Sequence, residues 1–145
     1  MSWSLAFRFL HVLAALVWAG GMLFVALVLV PVTRRLADAD LRRRLVTDVG
    51  VRFRAVGWAA IALLVLSGSG NLWLRPELLG APRFHMKLAL VALAILLSAV
   101  HDFVLGPQAG RPDAPPSLRG RASWLARLNV LVVLTIVLLG LALRG

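Results

Sequence analysis

Four long apolar stretches, separated by segments rich in arginine, glycine and proline, dominate the chain. The first runs from about Leu5 to Val32, the second from about Val56 to Leu74, the third from about Phe84 to Leu105 and the fourth from about Trp124 to Leu143. Each has roughly the 20 residues that cross about 30 Å of hydrocarbon at about 1.5 Å per residue. Lipid offers no partners to unpaired backbone groups, so each stretch is expected to be helical. The pattern predicts an all-α integral membrane four-helix bundle, with residues 1–145 forming a single membrane domain. Pro31 and Thr33 are expected to end the first helix and Gly106-Pro107 the third. Trp58 and Trp73 stand near the two ends of the second, where an aromatic belt sits. The first stretch is too long for a signal peptide and lacks a basic leader before a short apolar core.

The connections differ in charge. The basic loop over residues 33–55 contains Arg34, Arg35, Arg42, Arg43, Arg44, Arg52 and Arg54, interleaved with Asp38, Asp40 and Asp48. Its spacing predicts a short amphipathic helix lying at the membrane surface. The second connection, around Pro76 to Pro82, is short, with Arg75 and Arg83 as its cations. The third, from Gly106 to Ser123, is rich in glycine and proline and is expected to be irregular. Arginine is concentrated in the first and third loops, so the positive-inside rule places both in the cytoplasm and both termini outside a cell (inner) membrane. No internal repeat is visible.

Composition supports this reading and narrows the chemistry. The chain of 145 residues is 61% hydrophobic, with a mean hydropathy of +0.90. Its net charge is +10. On a soluble domain that charge would suggest nucleic acid. Here the arginines flank apolar blocks, where they set topology and meet anionic lipid headgroups, so membrane lipid rather than nucleic acid is the expected partner. The absence of cysteine removes disulfides, thiolate metal sites, iron–sulfur clusters and covalent c-type haem attachment.

Ionisable residues inside a span are costly and are candidates for function. His11, His85, Lys87 and His101 are such residues, although each also lies near enough to a helix end to reach the headgroups. With both termini outside, His11 lies about two turns into the first helix and Lys87 about one turn into the third, in the same leaflet. His101 is about 21 Å further along the third helix, towards the cytoplasm. At about 100° per residue, His11, Ala15, Trp18 and Met22 share one face, and so do Lys87, Ala94, Ser98 and His101; His85 points the other way. The second span ends outside in the small, polar run Ser67, Gly68, Ser69, Gly70 and Asn71. That run suits close helix packing. It also suits a flat macrocycle, with room left at Gly68 and polar groups met by Asn71.

A histidine facing a second nitrogen donor is the arrangement a membrane haem b needs. His11 is the first candidate axial ligand. Lys87 or His85 is the second. Facing direction favours Lys87, although lysine ligates iron only as the neutral amine; an imidazole is a ready neutral donor. Arg8, Arg75 and Arg83 stand at the outer rim, where propionates would pair with them. A second polar cluster, His101, Asp102, Arg127 and Asn129 with Arg54 near, belongs to the inner leaflet. It suits either a structural network or a proton or substrate path.

Three segments carry a resemblance: LHVLAALVWAGGMLF, FHMKLALVALAILLSAVHDF and RLNVLVVLTIVLLG. Their order resembles the CopD-like membrane superfamily and the HemJ-type protoporphyrinogen oxidases. The most specific parts are His11 with Trp18 seven residues on, Lys87, and Arg127 with Asn129 opening the last span. The HemJ-type resemblance implies a haem b held by His11 and Lys87, with Trp18, His101 and Asn129 in structural or pathway roles. It implies a redox protein that transfers electrons or oxidises a porphyrin-like or quinol-like substrate, with a protein or quinone as redox partner. The CopD branch implies copper transport or resistance instead. Cu(I) prefers thiolate and thioether donors, which here leaves Met22 and a His85-Met86 pair beside His11.

Overall fold

A computed structural model describes residues 3–142. They are helical almost throughout, with no strand among the described residues. Four helices are long and apolar enough to cross a membrane: α1 (Trp3–Thr33), α2 (Ala39–Leu74), α3 (Pro82–Ala109) and α4 (Pro116–Ala142). The expected all-α membrane class stands. Large apolar side chains such as Leu66 and Leu138 are about two-thirds exposed, as a lipid-facing surface requires. Leu143, the expected end of the fourth span, lies outside the described residues, as do Met1 and Gly145.

The chain divides into two compact units, one up to Ala81 and one from Pro82 onward. In the first, α1 and α2 form an antiparallel hairpin. Its register is set by four close approaches: Phe7 against Gly70, His11 against Gly68, Trp18 beside Gly57 and Phe53 over Gly21. A Cβ at Gly70 would sit 2.6 Å from the Phe7 ring, and one at Gly21 would enter the Phe53 ring. Glycine is thus required where an aromatic ring lies on the opposite backbone, the small-residue packing common between membrane helices. Ala14, Trp18, Ala60, Ile61 and Ser67 are buried in this unit.

In the second unit, α3 and α4 form another antiparallel hairpin. Lys87 lies by Gly140, and Asn129 donates from Nδ2 to Ser98 Oγ at 2.8 Å. Phe84, Ala94, Ser98, Ala122, Asn129 and Val133 are its buried residues.

Pro31 and Gly106-Pro107 do not end their helices. α1 runs through Pro31 to Thr33, and α3 runs through Pro107 to Ala109. Each proline is preceded by a π turn, Val25–Leu29 in α1 and His101–Leu105 in α3. In an α-helix a proline leaves one carbonyl without its N–H donor and presses its ring on the carbonyl four residues back. The turn before each proline is widened: Val30 N–H bonds to Val25 O and Gly106 N–H to His101 O. The α register then resumes, with Arg34 N–H on Val30 O and Gly110 N–H on Gly106 O. Thr33 does close α1, its Oγ1 donating to Val30 O at 3.1 Å.

Two further expectations are corrected. The basic segment is not a separate amphipathic helix but the start of α2, a continuous helix of 36 residues, about 54 Å long. Alanine, leucine and arginine propagate a helix well, and no proline interrupts them. Asp38 caps it, its Oδ1 accepting from Asp40 N–H at 2.8 Å and Leu41 N–H at 3.0 Å. Those bonds, Leu41's foremost, hold the Asp38 carboxyl below its ordinary 3.8. Nor is the third connection irregular over Gly106 to Ser123, because α3 extends to Ala109 and α4 begins at Pro116. Between them, the Arg119 guanidinium donates to Arg111 O and Pro112 O. The short segment that follows α2 is a 3₁₀ turn, Pro76–Gly80. Its Glu77 carboxyl is held below 4.5 by its own backbone N–H first and by Arg75 second.

Candidate functional site: His11 on its serine relay

The first span begins as an apolar helix, and His11 interrupts it one turn before the buried Ala14. Its imidazole reaches across to α2, where Nδ1 lies 3.1 Å from Ser67 Oγ. Ser67 is 2% exposed. Its hydroxyl also donates to the carbonyl of Leu63 at 2.6 Å, with a longer contact of 3.3 Å to that of Leu64. Serine buried in a membrane helix commonly bonds back to the preceding turn in this way. Gly68 lies against the ring: a Cβ there would stand 3.3 Å from His11 Cε1 and 3.6 Å from Nδ1. Trp18, two turns further along α1, is 6% exposed and packs beside Gly57, whose Cβ would lie 3.8 Å from the indole Cδ1. Of the expected site residues, the first unit thus brings together His11 and Gly68, places Trp18 on the same buried side, and leaves Asn71 half-buried near the end of α2.

In the second unit Lys87 is half-buried, and a Cβ at Gly140 would stand 3.5 Å from its Nζ. His85 is exposed; its ring meets the neighbouring Phe84 edge-on at 6.4 Å between centroids. Arg83 is exposed as well. Lys87 and His85 therefore face differently on α3, as their spacing in the helix requires.

The second unit holds another polar group. His101 Nδ1 lies 3.0 Å from Asp102 Oδ1 at the start of the π turn. One turn earlier, Ser98 accepts the Asn129 amide. Asn129 is 3% exposed, and its Oδ1 is buried without a hydrogen-bond partner among the described residues. Among the described residues, no group of three or more His, Cys, Asp or Glu side chains gathers to hold a metal ion.

Reading residue types along the chain did not single out Ser67 as the partner of His11. The signal was present: a small polar run placed at the same depth as the histidine. What it lacked was the register of the hairpin, which the aromatic–glycine contacts supply.

Comparison with known proteins places these features. The family model for copper resistance protein D matches residues 48–143, which takes in α2 from residue 48 onward, α3 and α4 but not His11. A protein of Aquifex aeolicus (strain VF5), described as uncharacterized, is 33% identical over 141 residues, covering 95% of this chain and 93% of that protein. No solved structure matches the chain. With two-thirds of its length matched by that family model, this four-span chain belongs to the CopD family.

Proposed function

We propose that the chain handles copper in the membrane, as a copper transport or copper resistance protein. The observation that carries this reading is the match of residues 48–143 to the copper resistance protein D model. Copper is here the cargo. With no cysteine in the chain, the donors for Cu(I) are imidazole nitrogen and thioether sulfur. His11 and Met22 share a face of α1 about 16 Å apart, too far for one ion. That spacing suits successive stations for a passing ion better than a resident centre. His85 and Met86, both exposed on α3, offer a further pair of donors. In this reading the arginine-bearing loops lie in a cytoplasm with anionic lipid at its face, and both termini lie outside an inner membrane.

The test is copper uptake into proteoliposomes of the full-length protein, with metal analysis and an optical spectrum of the same preparation. Wild type is expected to move Cu(I), and His11→Ala to lose most of that movement while keeping its helical content. A second reading competes because His11 is held through Nδ1 and is uncrowded at Gly68: a b-type haem ligated by His11, serving electron transfer to a protein or quinone, or HemJ-like oxidation of a porphyrin- or quinol-like substrate. A Soret band with sharp reduced α and β bands, lost in His11→Ala, and no copper movement would overturn the copper reading in favour of haem.

A further inference from the structure

We infer that Ser67 is a positioning residue that decides which ring nitrogen of His11 carries the proton, and so presents Nε2 as the atom that binds the metal. What Nε2 binds rests on the copper reading. Which nitrogen it is rests on hydrogen-bond arithmetic alone.

A serine hydroxyl has one proton and two acceptor lone pairs. The 2.6 Å separation between Ser67 Oγ and Leu63 O is that of a short O–H···O bond. Without a proton between them, two oxygens so close would repel. The Ser67 proton is therefore committed to the backbone, and towards His11 the hydroxyl can only accept. Its partner across 3.1 Å is His11 Nδ1, which must then be the donor. A neutral imidazole protonated at Nδ1 carries its lone pair at Nε2. The relay runs from Nδ1–H of His11 to Ser67 Oγ, and from Ser67 Oγ–H to the carbonyl of Leu63. Ser67 is buried, so bulk water does not compete for either bond.

This arrangement has a cost that packing does not explain. A serine bonding back four residues slightly weakens and bends its helix, and an alanine would fill the same place without it. Metal-binding histidines, in contrast, almost always donate their second ring N–H to a fixed acceptor, which sets tautomer and ring orientation. The acceptor is usually a carboxylate, a carbonyl or water. Here a hydroxyl anchored on a helix carbonyl does the same work without placing a charge in the membrane. Gly68 completes the seat, since any larger residue would press on the Nδ1–Cε1 edge. Free histidine prefers the opposite neutral tautomer, with the proton on Nε2, so the Ser67 relay predicts a reversal that can be observed directly.

The experiment uses full-length protein in lipid nanodiscs, labelled with ¹⁵N-histidine, at a pH where the ring is neutral. In the metal-free wild type the His11 ring is expected to show a protonated Nδ1 and an unprotonated Nε2, the assignment made by loss of the signals in His11→Gln. Ser67→Ala is expected to return the ring to Nε2–H or to a mixture. Ser67→Thr, which keeps a hydroxyl able to bond back to Leu63, is expected to restore the wild-type pattern. Cu(I) added against a competing chelator should then bind wild type and Ser67→Thr, with Ser67→Ala weakened about tenfold or more. A wild-type ring protonated on Nε2, or the same tautomer in wild type and Ser67→Ala, overturns the inference whatever copper does. The expected tautomers without any copper binding support the role of Ser67 and overturn the copper reading.

Discussion

The two hairpins are drawn to one plan and filled with different chemistry. In each, a helix widens into a five-residue π turn that ends two residues before a proline, turns through a loop bearing arginine, and returns antiparallel. His11 stands twenty residues before Pro31, and Lys87 stands twenty before Pro107. Each of these nitrogen-bearing side chains lies against a glycine of its return helix, Gly68 or Gly140. Below that level the hairpins diverge. The first closes with rings over glycines; the second closes with a buried amide–hydroxyl pair and small apolar residues. The first π turn reads VALVL and the second HDFVL. The plan itself therefore does not require polar groups at the π turn, so His101 and Asp102 need an explanation other than the turn.

The largest effect is expected where the first hairpin has rings on backbone. Gly21→Leu and Gly70→Leu each force an aromatic side chain out of a filled space, and overpacking of this kind costs about 1–3 kcal/mol. Gly20 adjoins Gly21 but has nothing within 4 Å of its Cβ position, so Gly20→Leu should change stability by less than about 0.5 kcal/mol. Unfolding in mixed micelles measures all three. Equal losses at Gly20 and Gly21 would break the ring-on-glycine account of the first hairpin.

The second hairpin is expected to depend on Asn129 instead. Asn129→Ala removes the bond to Ser98, and hydrogen bonds between membrane helices are worth about 0.6 kcal/mol on average and up to about 1.7. The buried position of both partners places this one towards the upper end. Ser98→Ala should cost a similar amount, because it leaves the buried Asn129 Nδ2 donor without this acceptor. The double variant should cost about as much as Asn129→Ala alone, the non-additivity that marks a shared bond.

These contrasts also show what the chain made legible. The four spans followed from apolar length alone, because a membrane imposes helix on any apolar run long enough to cross it. The buried faces carrying Trp18 and Ser98, and the different exposure of Lys87 and His85, followed from helical periodicity. The helix ends did not. Proline and Gly-Pro normally read as stops, and a π turn that carries a helix through them is a property of the wider backbone rather than of the residue. The repeated plan was hidden for the same reason: Val25 and His101 hold the same place in their π turns yet share no chemistry. The partner of His11 required inter-helix register, which periodicity within one helix does not contain.

A smaller effect tests the π-turn comparison. Replacing His101 by Val and Asp102 by Ala gives the second turn the apolar character of the first. Ionisable groups in a span are costly to keep there, and the first π turn does without them. The double variant is expected to unfold within about 0.5 kcal/mol of wild type, or later. Loss of copper movement with stability intact would assign the pair a functional role. Collapse of the helix beyond Ser98, seen by hydrogen exchange, would show that the second turn needs its polar residues and that the shared plan is only apparent.

The smallest effect concerns how the return helices begin. α2 starts on the Asp38 carboxylate, which accepts from the amides of Leu41 and Asp40. α4 starts on the carbonyl of Pro115, which accepts from Leu118 and Arg119. Only the first of these caps titrates. Asp38 is held below its ordinary 3.8 by those two amides, so folding lowers its proton affinity. Its contribution is then complete above the unfolded value and is lost as pH falls through the folded one. Protection of the Asp40 and Leu41 amides, corrected for the intrinsic exchange rate, should be constant above about pH 5 and fall below about pH 4. The first amides of α4 should show no such step. Asp38→Asn keeps an oxygen acceptor of similar capping strength and should remove the pH step while leaving protection near the wild-type level at neutral pH. Because Asp38 is exposed, the effect is confined to the first turn of α2. A pH step that persists in Asp38→Asn would assign it to another acid, with Asp40, in its ion pair with Arg43, the next group to replace.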